Sequence, residues 1–344
     1  MDRKLTQILV IHPGALGDTI LALPVLAALK AHYHPATVCF IGHSLLIDVL
    51  PGRSTVDMMK SIEGREYQEL LEGHGAMSSA SRAFFQQFDV AVVWTADQDG
   101  CLHESLCRLG TPTVVVQSPR LGDESSRHAT DRFKDTLGHM LGEYRLPQAC
   151  LTPTGEDRKA ASVWLSGYGV NADFPLVAVH PGSGSPAKCW PPEQFAEAVI
   201  GLMRDGVQVL LIEGPADTSA VHTLQESLPA KLPRLHHASL CLVLGVLSHC
   251  SAFLGNDSGV TQMAAALGLP TVAVFGPTDP AVWGFRCSSV LSLRGDSCRC
   301  STREMQRACE NRPCLSIPPE IVLDALRDRL RAVSLSLATA PPLC

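Results

Sequence analysis

Three short stretches of this 344-residue sequence combine side chains able to do chemistry with glycines that let backbone approach a ligand. The first is HPGALGD, His12 to Asp18. Its glycines allow a tight turn, and Asp18 opens the apolar run that follows. There it can act as a general base toward a substrate hydroxyl or cap a helix. The second is HPGSGSPAKCW, His180 to Trp190. Its small residues leave backbone N–H groups free to cradle an anion, and Lys188 adds a point charge suited to phosphate. Taken alone, the same pattern fits an ordinary glycine-rich loop with a solvated lysine. The third, Gly255 to Gly284, reads GNDSGVTQMAAALGLPTVAVFGPTDPAVWG. Asp257-Ser258-Gly259 opens a helix whose unpaired N–H groups favour an anion such as a diphosphate, or which Asp257 or Ser258 simply caps. The second and third stretches fall in one half of the chain, so both loops are expected at the same edge of one sheet.

Other motifs are weaker. Asp97-Gln98-Asp99 matches a metal-binding DxD, but paired acids after a strand are more often solvated or capping residues. Gly14 and Gly17 do not make a dinucleotide fingerprint, and the P-loop lysine is missing. Cys298, Cys300, Cys309 and Cys314 could supply four thiolates to a structural zinc or iron–sulfur centre, against free thiols in an irregular loop. Four thiolates would leave no open position for catalysis, and the site is expected to hold no metal. His103, His128, His139 and His249 are scattered without partner spacing.

These loops need elements to position them, and the hydrophobic pattern supplies a repeated strand–loop–helix rhythm. Strands are predicted at Gln7–Ile11, Thr37–Ile41, Val90–Trp94 and Thr113–Val116, with helices at Asp18–Lys30 and Asp131–Tyr144. After a polar stretch, Pro147–Thr154, a helix over Glu156–Tyr168 leads into a second half. It has strands at Leu176–His180, Val207–Ile212, Ala252–Leu254 and Thr271–Phe275, and helices at Pro192–Met203, Asp217–Leu228 and Gly259–Leu267. Alternating units of this kind predict parallel sheets covered by helices on both faces. The domains are expected at 1–154 and 155–318. A closing amphipathic helix, Pro319–Val333 in the segment 319–344, is expected to pack back on the first domain.

Composition narrows the function. A net charge of −6 argues against a general nucleic-acid binder. Apolar runs fall short of the ~18–20 residues a membrane span needs. The basic, then apolar, N-terminus lacks a cleavage site and reads as a buried first strand. Thirteen cysteines, an odd number in a long chain, do not make a secreted disulfide scaffold. A cytoplasmic location is therefore expected, with peripheral contact to the inner face of the cytoplasmic membrane allowed.

Together, and in this order, the three stretches resemble the heptosyltransferases of lipopolysaccharide core synthesis, glycosyltransferase family nine. The resemblance runs from ILVIHPGALGDTILALPVLAALK through HPGSG and NDSG to the last helix. It implies a GT-B architecture: two Rossmann-like parallel-sheet domains facing across a cleft. The N-terminal domain would bind a lipid-linked or core-oligosaccharide acceptor. The C-terminal domain would bind a nucleotide-diphosphate sugar, usually ADP-L-glycero-D-manno-heptose. It also implies inversion at the anomeric carbon with no catalytic metal or other cofactor. Asp18 matches the family's proposed base, Lys188 its donor-phosphate lysine, and Ser183 and Gly184 its phosphate loop. Asp257, Ser258 and Gly259 match the donor-binding turn, and Asp217 falls near an acidic ribose contact. Gln262 stands where the family commonly has His and cannot carry its positive charge, which bears on donor affinity and identity. Gly14 is assigned to the acceptor, and so are Arg120, Arg127 and Arg132 from their place in that half around a polar stretch, where solvated surface arginines are the equal alternative. The alternatives are the same fold acting on another nucleotide sugar, a nucleotide-sugar epimerase, and a binding protein that no longer transfers.

Overall fold

The computed structural model describes residues 4–73, 75, 77–119, 126–298, 300 and 302–339, with 303 and 333–339 given by backbone alone. The chain divides into two compact units, Met1–Thr152 and Pro153–Cys344.

In the first unit, β1 (Thr6–Ile11), β2 (Ala36–Gly42), β3 (Met58–Ser61), β4 (Val90–Val93) and β5 (Thr113–Val116) form one sheet. Its order is β3-β2-β1-β4-β5, and every pair is parallel. Parallel strands joined through helices are covered on both faces, which is why Ile8–Ile11 and Val90–Val93 read as unbroken apolar runs and are buried throughout. Leu9, Ile11, Cys39, Ile41, Ala91 and Val93 pack on one face against Phe85 and Leu106. The chain builds outward from β1 to β3, then returns to place β4 on the other flank of β1. That reversal is a topological switch point, where ligand crevices open beyond the strand C-termini. His12 to Ala15 leave the sheet there and lead into the helix Leu16–His32.

The second unit repeats the plan with β6 (Leu176–His180), β7 (Gln208–Glu213), β8 (Arg234–His236), β9 (Ala252–Asn256), β10 (Thr271–Phe275) and β11 (Val290–Arg294). All pairs are parallel, in the order β11-β10-β9-β6-β7-β8. Here the switch point falls between β6 and β9. No described helix is long and apolar enough to cross a membrane.

Three strands were not expected: β3, β8 and β11. All lie at or near sheet edges, are short, and carry half-buried rather than fully buried residues, so their apolar signal is weak. The helix expected over Asp131–Tyr144 forms as two, Ala129–Asp135 and Gly138–Leu141. The break follows from Thr136, whose hydroxyl donates to the Phe133 carbonyl at 2.7 Å and accepts from the Trp94 indole at 2.8 Å. The closing helix runs Pro319–Thr339. Its Val322, Ala325 and Leu326 join Val199, Leu202, Val272 and Val274 in the core of the second unit. Its Leu323 presses so close to Gly201 that any added Cβ would stand 2.3 Å from it.

Candidate functional site

The switch point of the second sheet brings the two anion-binding loops together. After β6 the chain runs through Pro181–Ser185 into a short 3-10 turn, Pro186–Lys188. After β9, Asp257 and Ser258 lead into the helix Gly259–Ala266, with Ser258 as its N-cap accepting from the Thr261 amide. Asn256, fully buried at the end of β9, ties the loops to each other. Its amide donates to the Pro181 carbonyl at 2.7 Å, and its oxygen accepts from the Trp190 amide at 2.9 Å. The Ser183 hydroxyl adds a 2.7 Å bond to the Asp257 carbonyl. Lys188 Nζ reaches Asp257 Oδ2 at 2.6 Å, and the Thr278 hydroxyl donates to the same oxygen at 2.6 Å.

This geometry divides the labour. Asp257, Ser258 and Ser183 are buried and bonded within the protein, so their side chains shape the turn. What faces outward is Gly184, exposed with no neighbour within 4 Å of an added Cβ, the half-exposed Lys188 amine, and the first helical N–H groups at Gly259 and Val260. Those groups have no intrahelical carbonyl to bond. They point with the helix dipole at a position that suits an anion.

A second layer holds the loops in place. His180 Nδ1 meets the Ser258 hydroxyl at 3.2 Å, and its Nε2 meets Asp217 Oδ2 at 2.9 Å. Asp217 also accepts from the Gly214 amide at 2.8 Å. The residue types are those of a nucleophilic triad, but the Ser258 hydroxyl is buried and already caps the helix, so the chain of bonds is a brace across three loops. It places Asp217, assigned from the sequence to a ribose contact, beneath the site as a buried support. Burial alone pushes the Asp217 carboxyl up, but the bond and charge of His180 and the Gly214 and Ser183 amides outweigh it and leave its pKa below the ordinary value. A depressed carboxyl stabilises the fold above its unfolded pKa of about 4 and loses that contribution as pH falls through the folded value. Below about pH 4 the wild type should therefore lose stability more steeply than Asp217→Asn, as read by thermal melts against pH.

Gln262, one turn into the same helix, is buried and donates through Nε2 to the Trp283 carbonyl at 2.8 Å. Its amide oxygen is buried with no hydrogen-bond partner among the described residues. Gln262 thus offers an acceptor, which suits a ligand hydroxyl or amine rather than a phosphate oxygen.

At the switch point of the first sheet, Asp18 lies in the first turn of Leu16–His32, while Ala15 occupies the N-cap position without a side-chain bond. The N-cap is therefore Ala15 and not Asp18. Gly14 is required where it stands: an added Cβ would lie 2.1 Å from His12 Nε2 and 2.9 Å from Asp18 Cβ. His12 is buried, edge-on to Trp94 and Phe133, with Nδ1 3.4 Å from the Trp94 carbonyl. Phe133 brings its helix, and with it Arg132, beside this loop. Arg127 is exposed and forks onto Asp135, at 2.6 and 3.0 Å. Arg120 lies outside the described residues. Asp97 of the DxD accepts from the Leu102 and His103 amides, so its carboxylate terminates a helix and is not aimed at a metal.

Sequence reasoning passed over His12, His180 and Asn256 as individual site residues. Their only signal was position, each standing at the last residue of a central strand or just beyond it.

Comparison with known proteins agrees with the fold and extends it. The sequence profile of glycosyltransferase family 9 (heptosyltransferase) matches residues 57–315. The chain is similar to lipopolysaccharide heptosyltransferase 2 of Salmonella typhimurium, with 26% identity over 304 residues covering 80% of this chain and 84% of that protein. Among solved structures it superposes on a family 9 glycosyl transferase from Veillonella parvula with a TM-score of 0.78 at 22% identity, covering 96% and 99% of the two chains. It also superposes on the ADP-heptose lipopolysaccharide heptosyltransferase II of E. coli with a TM-score of 0.75 at 20% identity, covering 96% and 100%. Both likenesses carry the GT-B fold of two parallel-sheet α/β domains.

Proposed function

This chain belongs to glycosyltransferase family 9, the heptosyltransferases of lipopolysaccharide core biosynthesis, and on that premise we propose that it transfers a heptose from ADP-L-glycero-D-manno-heptose to an inner-core acceptor by a single inverting displacement. Asp18 takes the proton of an acceptor hydroxyl as that oxygen attacks the anomeric carbon. The bond from that carbon to the diphosphate oxygen breaks on the opposite face, and ADP leaves with the electron pair. Lys188, the Ser183–Gly184 loop and the first turn at Ser258–Gly259 stabilise the charge that builds on the leaving diphosphate. No step calls for a metal.

The observation that carries this reading is the convergence of Lys188 and the Gly259 helix N-terminus at one switch point, with Asp257 fixing the lysine's direction. The pairing makes the side-chain charge of the cradle nearly neutral, so backbone N–H groups carry much of the anion affinity. A ribose hydroxyl or base amine on the donor would satisfy the orphaned Gln262 oxygen. The acceptor's anionic sugar would meet the face beside Gly14 and Arg132, with Arg127 available once released from Asp135. Contact with a lipid-borne acceptor would place the protein at the inner face of the cytoplasmic membrane.

Calorimetric titration with ADP, GDP and UDP tests the donor. ADP should bind in preference, and Lys188→Ala should weaken it about 10–100-fold, the worth of a charge-assisted hydrogen bond. Preference for GDP or UDP would reassign the donor. Absence of binding to all three would sink the transferase reading and leave a chain that retains only the fold.

A further inference from the structure

Between β11 and the closing helix the chain crosses Gly295 to Pro318 with, among the described residues, only the helix Arg303–Ala308 and a 3-10 turn at Pro313–Leu315 for regular structure. A connection this long is uncommon unless it is functional or fastened. Among its described residues, Cys298, Cys314, Leu315 and Ile317 are the ones that join the domain core. Yet its thiols converge. The sulfurs of Cys298, Cys300 and Cys309 all lie within 4.8 Å of one another, with Cys298 and Cys300 2.9 Å apart, and the Cys314 thiol interacts with that of Cys298. Core packing accounts for Cys314 and in part for Cys298, but not for Cys300 and Cys309. A structural cysteine behaves as a small hydrophobe, whereas Cys298, Cys300 and Cys309 are partly exposed.

We propose that Cys298, Cys300, Cys309 and Cys314 bind one divalent metal ion as a tetrathiolate, and that this ion fastens the Gly295–Pro318 segment to the second domain. Thiolates bind zinc at about 2.3 Å in a tetrahedron, which sets sulfurs ~3.8 Å apart. The Cys298, Cys300 and Cys309 sulfurs already lie within 4.8 Å of one another, and Cys314 would close onto them to complete the tetrahedron. Zinc and iron share this donor preference. A second observation supports the charge such a centre carries. Arg294, at the end of β11, acts electrostatically on Cys314, and its Nε is buried with no hydrogen-bond partner among the described residues. A cationic donor beside a dianionic metal–thiolate centre would offset part of its charge from the outer shell. With four thiolates bound the ion has no open position, so its role is structural.

The segment also leans on the donor loop. Arg312 Nη1 donates to the Pro186 carbonyl at 3.2 Å, and an added Cβ on Gly276 would fall among Leu315, Ala187 and Lys188. Metal loss should therefore also loosen the turn that carries Lys188, a consequence that rests on the proposed donor site.

The test is metal analysis of the full chain, purified under reducing conditions without chelator. About one equivalent per chain is expected, colourless if zinc and visibly charge-transfer coloured if iron. Stripped protein should take up one Co²⁺ with the intense visible absorption of a tetrahedral thiolate site, and its melting temperature should rise on loading. Cys309→Ser should lose the ion, while Cys150→Ser, outside the cluster, should keep it. Failure of the reduced wild-type chain to bind Co²⁺ or Zn²⁺ overturns the site. So does a Cys298–Cys300 disulfide found by mass spectrometry in that preparation. ADP affinity unmoved by metal removal overturns the link to Lys188 and leaves the metal standing.

Discussion

Asp18→Asn should lower turnover by ~10²–10⁴-fold, the usual worth of a general base, while ADP binds as tightly as before. The substitution keeps the shape of the side chain and removes its ability to take a proton. The fold should tolerate it. Asp18 is neither the N-cap nor a core residue, and an acidic group in a helix's first turn is worth only about 0.3–1 kcal/mol. The donor cradle belongs to the other sheet, built on β6 and β9, so nucleotide binding has no reason to change. The readout must therefore separate the two quantities: kcat from single-turnover transfer, and Kd for ADP from calorimetry. A fall in kcat with Kd preserved places Asp18 at the chemical step. Unchanged kcat would remove it from the mechanism and direct attention to His12, the other titratable group of that loop. Parallel losses in kcat and melting temperature would reveal a structural part instead.

Much of this site was legible because its backbone demands are strict. Gly14 and Gly182 cannot carry a side chain where they lie, and a loop that excludes Cβ atoms leaves glycines in the sequence as a trace. Lys188 was found for its charge and Asp18 for its place after a strand. Less visible was what holds them. His180 and Asp217 are 37 residues apart and meet only because β6 and β7 pair side by side. No local pattern announces such a bond. Asp217 illustrates the point: the resemblance implies a ribose contact there, and only the structure reveals that its carboxylate is buried against His180. The strands behave likewise. β6 and β10 lie inside the sheet, are mostly apolar and buried throughout, and their observed limits match those expected. β8 and β11 are edge strands whose pairing is decided by neighbours elsewhere in the chain. The cysteines are the opposite case, because spacing alone offered two readings and convergence of the sulfurs favours the one set aside.

Gly182→Ala should be the most damaging single methyl in the second domain. Its Cβ would fall 1.9 Å from both Cγ and Oδ1 of Asp217, and Asp217 has no room to give way without breaking bonds. It is buried and held by His180 and by the Gly214 amide. Expelling it strands an imidazole nitrogen and an amide, each costing ~1–3 kcal/mol when buried without a partner. Together that is about 2–6 kcal/mol, at roughly 2–4 °C of melting temperature per kcal/mol for a domain of this size. Gly184→Ala, two residues on, meets nothing within 4 Å and should shift stability by no more than ~0.5 kcal/mol. A similar melting point for both variants would mean that the His180–Asp217 brace does not govern this loop. The brace makes one further demand. In an Asp217→Ala background the space at Gly182 opens, so the second methyl should cost much less than it does alone. Such a double-mutant cycle measures the coupling directly, and strict additivity would show that Gly182 is glycine for a reason other than Asp217.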